Sequence, residues 1–160
     1  MASLSTQLRN QLERAVKNAR DIAEQGARAA IEQLAVHEHE PYQHLTPDQR
    51  ELRNRLRARA RQLGDTRDQT GRHGIGHLVV ETAYEHWHRM LFARFLGENN
   101  VLMRHGGKPV TQEECDELAP GEGAADGLEL ASRYAAKMLP QIFRPGSPVF
   151  ELKLPRERVQ

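Results

Sequence analysis

Apolar residues recur every three or four positions over most of the chain, the period of an α-helix and not the alternation of a strand. From residue 4 to about 36, Leu8, Leu12, Ala15, Ala19, Ile22, Gly26 and Ala29 alternate between spacings of four and three. This predicts one long helix with a heptad-like seam of small side chains, narrow enough for close helix contact. Val16, Ala23, Ala30 and Leu34 widen the stripe, and Gly26 marks a weak point suited to a close crossing. His37 to Leu45, with Pro41 and alternating histidine and glutamate, reads as a linker. Thr46-Pro47-Asp48-Gln49 is a helix start: threonine caps, proline takes the first helical position, and Gln49 completes a capping box. That second helix runs to about Leu63 and stops at Gly64, with a thin apolar face of Leu52, Leu56, Ala60 and Leu63. Residues 64 to 76 contain Gly64, Gly71, Gly74 and Gly76 and predict a flexible loop.

The third helix, about 77 to 97, is the most apolar. Val80, Ala83, Tyr84, Trp87, Leu91 and Phe95 form its expected inward stripe, joined by Met90, Phe92 and Leu96, with Trp87 packed near Tyr84, Leu91 and Phe95. Asn99-Asn100 ends it, and Val101 to Met103 predicts a short extended piece. Thr111 with Glu114 is a second capping box, opening a short helix to Leu118 that Pro120 stops. Asp126 starts another helix through about Leu139, with Leu128, Ala131, Tyr134, Ala135 and Met138 inward. Prolines break the tail from Ile142 to Leu154, and Leu154 to Arg158 resembles the start of a further helix, so the sequence reads as a fragment of a larger protein. The expected fold is all-α: an irregular helical domain with one long N-terminal helix, a central apolar helix and little or no β structure. Residues 1–45 (helix and linker) and 46–160 (helical core) are expected to form one domain.

Composition sharpens this picture. Only 38% of the 160 residues are hydrophobic and the mean hydropathy is −0.72, so much helix surface must face water. No apolar run is long enough to span a bilayer, no signal-peptide core is present, and no membrane partner is expected. The single cysteine, Cys115, cannot form an internal disulfide, which points to a reducing, cytoplasmic setting. The net charge of +1 hides an asymmetry. From Arg50 to Arg72 there are eight arginines against Glu51, Asp65 and Asp68, a balance of +5, whereas Thr111 to Leu130 holds seven acids and no lysine or arginine. Separated basic and acidic stretches suit a polyanion and a basic partner, and are also what solvated helix faces look like.

Candidate chemistry is sparse. His73 and His77 are four apart and Glu85 lies three before His88, but a di-iron bundle needs two Glu-x-x-His pairs and a zinc protease needs His-Glu-x-x-His. Glu151-Leu152-Lys153 has a nuclease-like spacing without the upstream aspartate strand that would hold Mg²⁺, and reads as a connector. Gly71 to Gly76 lacks the preceding strand and glycine order of a phosphate cradle. No catalytic, cofactor or metal residues are therefore assigned. The best candidate site is the arginine helix: Arg50, Arg53, Arg57 and Arg61 form one ridge, with Arg55 and Arg59 beside it. Guanidinium forks suit phosphate oxygens and position a protein on a duplex without reading bases. The competing expectation pairs these arginines with the acids Glu113, Glu114, Asp116 and Glu117.

The segment Ala83-Tyr84-Glu85-His86-Trp87-His88-Arg89-Met90-Leu91-Phe92-Ala93-Arg94-Phe95-Leu96-Gly97-Glu98-Asn99-Asn100 resembles the N-terminal helical region of large adenine-specific DNA methyltransferases of phage defence. These are the PglX-like proteins of BREX and DISARM type, related to restriction enzymes with fused methylase. Thr111 to Cys115 and Ala136 to Phe143 resemble the same family's continuation, and the likeness is densest from about 77 to 155. The resemblance implies a parent enzyme that binds S-adenosylmethionine on a later α/β domain and holds a flipped adenine in an Asn-Pro-Pro-Tyr loop. Neither part occurs here, since no asparagine precedes a proline. By the resemblance this chain is a non-catalytic N-terminal domain, with no cofactor of its own. Its implied partners are the remaining domains of the parent, double-stranded DNA and other defence-system subunits. The alternative expectation is a stand-alone helical adaptor with no DNA role.

Overall fold

The computed structural model describes residues 5–154, so the helix expected beyond Leu154 lies outside the described residues. The fold is all-α. Among the described residues there are six α-helices and one 3-10 turn, and the only β pairings are the isolated bridges Arg67–His73 and Met103–Pro109. The described residues form two compact units, 5–84 with 148–154, and 85–147. The division falls inside the third helix.

In the N-terminal unit, α1 (Thr6–Gln33) starts at Ser5, whose hydroxyl accepts from the Leu8 amide. Its heptad-like seam is not a buried contact. Leu8, Leu12, Val16 and Ile22 stand about half exposed, and only Ala27, Ala30 and Ile31, near the C-terminal end, are buried in the helix. The spacing reveals an apolar face, but it carries no information about what covers that face. α2 (Pro47–Leu63) has the expected box: Thr46 Oγ1 accepts from Gln49 N, Gln49 Oε1 accepts from Thr46 N, and Gly64 closes the helix at φ 102°. Leu56 and Ala60 join Ile31, Val36, Leu78 and Val149 in the core, with Leu52 and Leu63 packed against it. The 3-10 turn η1 (Pro148–Glu151) returns the chain to this unit and buries Val149, while Leu152 follows it into the core. The Glu151 segment is thus a turn anchored on α2, where Arg55 binds Glu151 at 2.6 Å.

The glycine-rich stretch 64–76 is an ordered hairpin-like loop and not a flexible one. Asp68 Oδ1 accepts from Thr70 N, Thr70 Oγ1 and Arg72 N, Asp68 N donates to Arg72 O, and Gly74 N donates to Thr66 O at 2.8 Å. Asp65 then caps α3 (Gly76–Glu98) from outside the helix, with Oδ1 accepting from His77 N and Oδ2 from Leu78 N, both at 3.0 Å. Two of the first-turn amides that a helix leaves unpaired are thereby satisfied.

The face of α3 expected to point inward is buried only in part. Within the N-terminal unit Leu78, Val79, Thr82 and Ala83 are buried, while Val80 and Tyr84 are exposed. Within the second unit Ala93 and Leu96 are buried, Trp87 is only half-buried, and Met90, Leu91 and Phe95 are exposed. This helix is apolar on every side, so periodicity could not choose the face.

The second unit packs the end of α3 with α4 (Gln112–Leu118), α5 (Gly127–Met138) and α6 (Pro140–Phe143). The Thr111–Glu114 capping box and the Asp126 cap form as expected. On α5, Leu130 is buried and Leu128 is not, beside the expected Ala131, Tyr134 and Ala135. Phe143 is fully buried with its ring 5.8 Å from that of Phe92. The close crossing of α4 and α5 rests on Gly127, where a Cβ would lie 2.5 Å from Asp116 N and 2.7 Å from Asp116 Cα.

Candidate functional site

The four ridge arginines do not stand together in solvent. Arg53 is 4% exposed and Arg57 is 7% exposed. Arg53 Nε donates to Ala35 O at 2.8 Å, and its Nη2 donates to Glu38 O at 2.7 Å and His39 O at 3.2 Å. Arg57 Nη1 donates to His39 O at 3.3 Å. Arg50 is exposed but also turned back, donating to Leu45 O and Gln43 O. The ridge therefore clamps the linker after α1 onto α2, beginning at the left-handed residue Ala35, whose φ is 53°. Arg53 is taken up by three carbonyls, and Arg57, with one carbonyl partner, is as deeply buried, so neither is presented to an exposed phosphate. Arg61 is exposed and is the ridge member placed to meet an external anion.

Burial lowers the pKa of Arg53 and Arg57, and for Arg57 the neighbouring Arg53, Arg67 and Arg61 lower it further against the opposing Glu40. A guanidinium stays charged even so. In the second row, Arg55 pairs with Glu151, and Arg59 makes a forked pair with Glu81, its Nε 2.9 Å from Oε2. The acids that the sequence offered as partners, Glu113 to Glu117, lie on α4 of the other unit.

The two histidines four apart are tied into local structure. His77 Nδ1 lies 2.9 Å from Asp65 Oδ1, and His73 Nδ1 lies 2.8 Å from Gly74 O. Among the described residues no group of three or more His, Cys, Asp or Glu is arranged to hold a metal ion, and no helix is long and apolar enough to cross a membrane.

Two features that the sequence did not reveal now stand out. One is the exposed apolar surface of α3 in the second unit, where Leu91 is 50% exposed and Phe95 54%. Leu91 and Phe95 are four residues apart on one side of the helix. The other is a polar cleft of about 510 Å³ in the N-terminal unit, lined by residues of α1, the linker and the 66–75 loop. Its residues are far apart in sequence and carry no motif. Comparison of the chain with protein-family models, with curated proteins and with solved structures gives no match.

Proposed function

We propose that this chain is a non-catalytic helical docking domain, the N-terminal helical part of an S-adenosylmethionine-dependent, adenine-specific DNA methyltransferase of phage-defence type. The observation that carries the reading is the position of the resembling segment. Residues 83–100 form most of α3, and there Met90, Leu91 and Phe95 are exposed in a helix that also contributes buried Ala93 and Leu96 to its own core. Grouped apolar side chains left in water mark a surface for another protein body. In this reading the body is the catalytic part of the parent enzyme, with other defence subunits able to add to the contact.

The test is co-purification of this chain with the catalytic region of its own parent enzyme. Leu91→Asp with Phe95→Asp should abolish it at unchanged melting temperature. Equal recovery with the double variant would refute this docking face. DNA contact is the subordinate part of the proposal and rests on Arg61. Binding to duplex DNA should be weak and indifferent to sequence, and Arg61→Gln should reduce the salt slope by about one unit. An unchanged slope removes Arg61 from the DNA contact.

A further inference from the structure

The cleft of about 510 Å³ is walled by Arg28 and Glu32 of α1, His37 of the linker, and Arg67, Arg72 and His73 of the loop. Its charges are unevenly matched. Arg28 lies 3.8 Å from Glu32, and Arg72 lies 2.8 Å from Glu38 Oε1, an oxygen that also takes His37 Nε2 at 3.1 Å. Asp68, a further wall residue, spends Oδ1 on three donors within its own turn. Arg67 has no carboxylate within ion-pair distance among the described residues. The walls thus favour an anion.

The imidazoles say what kind of anion. The neighbour of His73 Nδ1 is a carbonyl oxygen, which only accepts, so Nδ1 carries the proton. By the same logic His37 Nε2 carries the proton that meets Glu38. The second nitrogen of each ring, His73 Nε2 and His37 Nδ1, is shielded from water and has no hydrogen-bond partner. His73 as a whole is only 4% exposed. A buried polar atom left unpaired costs about 1–3 kcal/mol, and two in one cleft call for a ligand that satisfies both. Neutral imidazole needs a donor there, but the surrounding guanidiniums repel a metal cation. A phosphate monoester or free phosphate meets both demands. Its anionic oxygens suit the arginines, and its P–OH can donate to an unpaired imidazole nitrogen. A phosphodiester has no such proton to share, and neither does sulfate near neutral pH.

We propose that this cleft binds a phosphate monoester or inorganic phosphate, held by Arg28, Arg67 and Arg72 and bonded to His37 and His73. The exposed arginine side chains reorient around the anion as it reaches the shielded nitrogens. The inference goes beyond the docking role and does not depend on it.

Inorganic phosphate titrated into the whole chain, followed by ring-nitrogen NMR, tests it. Phosphate should saturably shift His37 and His73 while leaving the exposed His44 and His105 in place. Sulfate should bind more weakly, and Arg67→Gln should weaken phosphate by about tenfold, the loss of one charge-assisted contact. Equal response to sulfate, no saturation, or shifts spread over all histidines would each overturn the proposal. Two duplexes then separate the sources. Preference for a 5′-phosphorylated duplex over its unphosphorylated twin identifies a nucleic-acid end as the ligand. Equal response to the two, with saturable phosphate binding, leaves the free ion or a small monoester. The docking test with Leu91 and Phe95 is untouched by any of these results.

Discussion

Replacing Arg53 with methionine keeps most of the side-chain volume and removes the guanidinium that closes the linker onto α2. Three hydrogen bonds go: the carbonyls of Ala35 and Glu38 lose their donor, and that of His39 keeps only Arg57. Hydrogen bonds to a charged group contribute about 1.5–3 kcal/mol each, so three amount to about 5–9 kcal/mol. Against this stands the cost of holding a 4%-exposed cation out of water, several kcal/mol. The net expected loss is about 3 kcal/mol, or a melting temperature lower by about 6–12 °C for a chain of this length. Arg53→Lys should recover little, because an ammonium is a point donor and cannot fork between carbonyls on separate residues. Arg61→Gln, on the exposed end of the same ridge, should stay within about 0.5 kcal/mol of the parent. Urea unfolding followed by circular dichroism supplies all three numbers. If Arg53→Met and Arg61→Gln unfold at the same midpoint, the clamp is not what fixes the linker.

Three further expectations follow from features of the fold. Gly127→Ala would normally favour a helix, but here the new Cβ meets the Asp116 backbone, so the variant should lose about 1–3 kcal/mol in thermal unfolding; a gain in stability would refute the close crossing. The Asp65 carboxyl is held below its usual pKa: burial pushes it up, but the His77 and Leu78 amides and the His77 ring outweigh that. Its contribution is therefore present above about pH 3.9 and is lost as pH falls through the depressed folded value. Asp65→Ala should cost about 1–2 kcal/mol at neutral pH, and the gap should narrow in acid; a gap constant with pH would sink the capping role. Burial first, then Asp116, Glu114 and Glu122, pushes the Cys115 thiol up to about 11. A chromogenic disulfide reagent at pH near 8 should react only as fast as the second unit opens, and prompt reaction in the native protein would contradict the burial.

Where a boundary is set by local chemistry, it could be read from the residues themselves. Thr46 with Gln49 and Thr111 with Glu114 fold as capping boxes because donor and acceptor lie three residues apart in any context. What could not be read depends on partners distant in the chain. Arg53 looks like a surface cation until carbonyls some 15 residues upstream are brought to it. The 64–76 stretch looks slack because its order comes from the Asp68 carboxylate gathering three donors and from backbone bonds across the turn. On α3 the side chains at 78, 79 and 83 are as apolar as those at 80, 84 and 91, and only packing divides the buried set from the exposed one. The cleft was invisible for the same reason, since residue 28 and residue 73 share no spacing rule.

The N-terminal unit is discontinuous, and this bears on the order in which the chain can fold as it is made. Val149 and Leu152 belong to its core, yet they leave the ribosome after all of 85–147. The inserted unit is complete in sequence and can fold while the first unit still lacks that part of its hydrophobic filling. Folding of 85–147 then removes freedom from the long, slack connection between Tyr84 and Pro148. This lowers the loop-closure entropy that the last residues must overcome to dock. A nascent chain arrested before Pro148 should accordingly protect Cys115 from thiol reagents while Leu56 and Leu78 still exchange their amide protons rapidly.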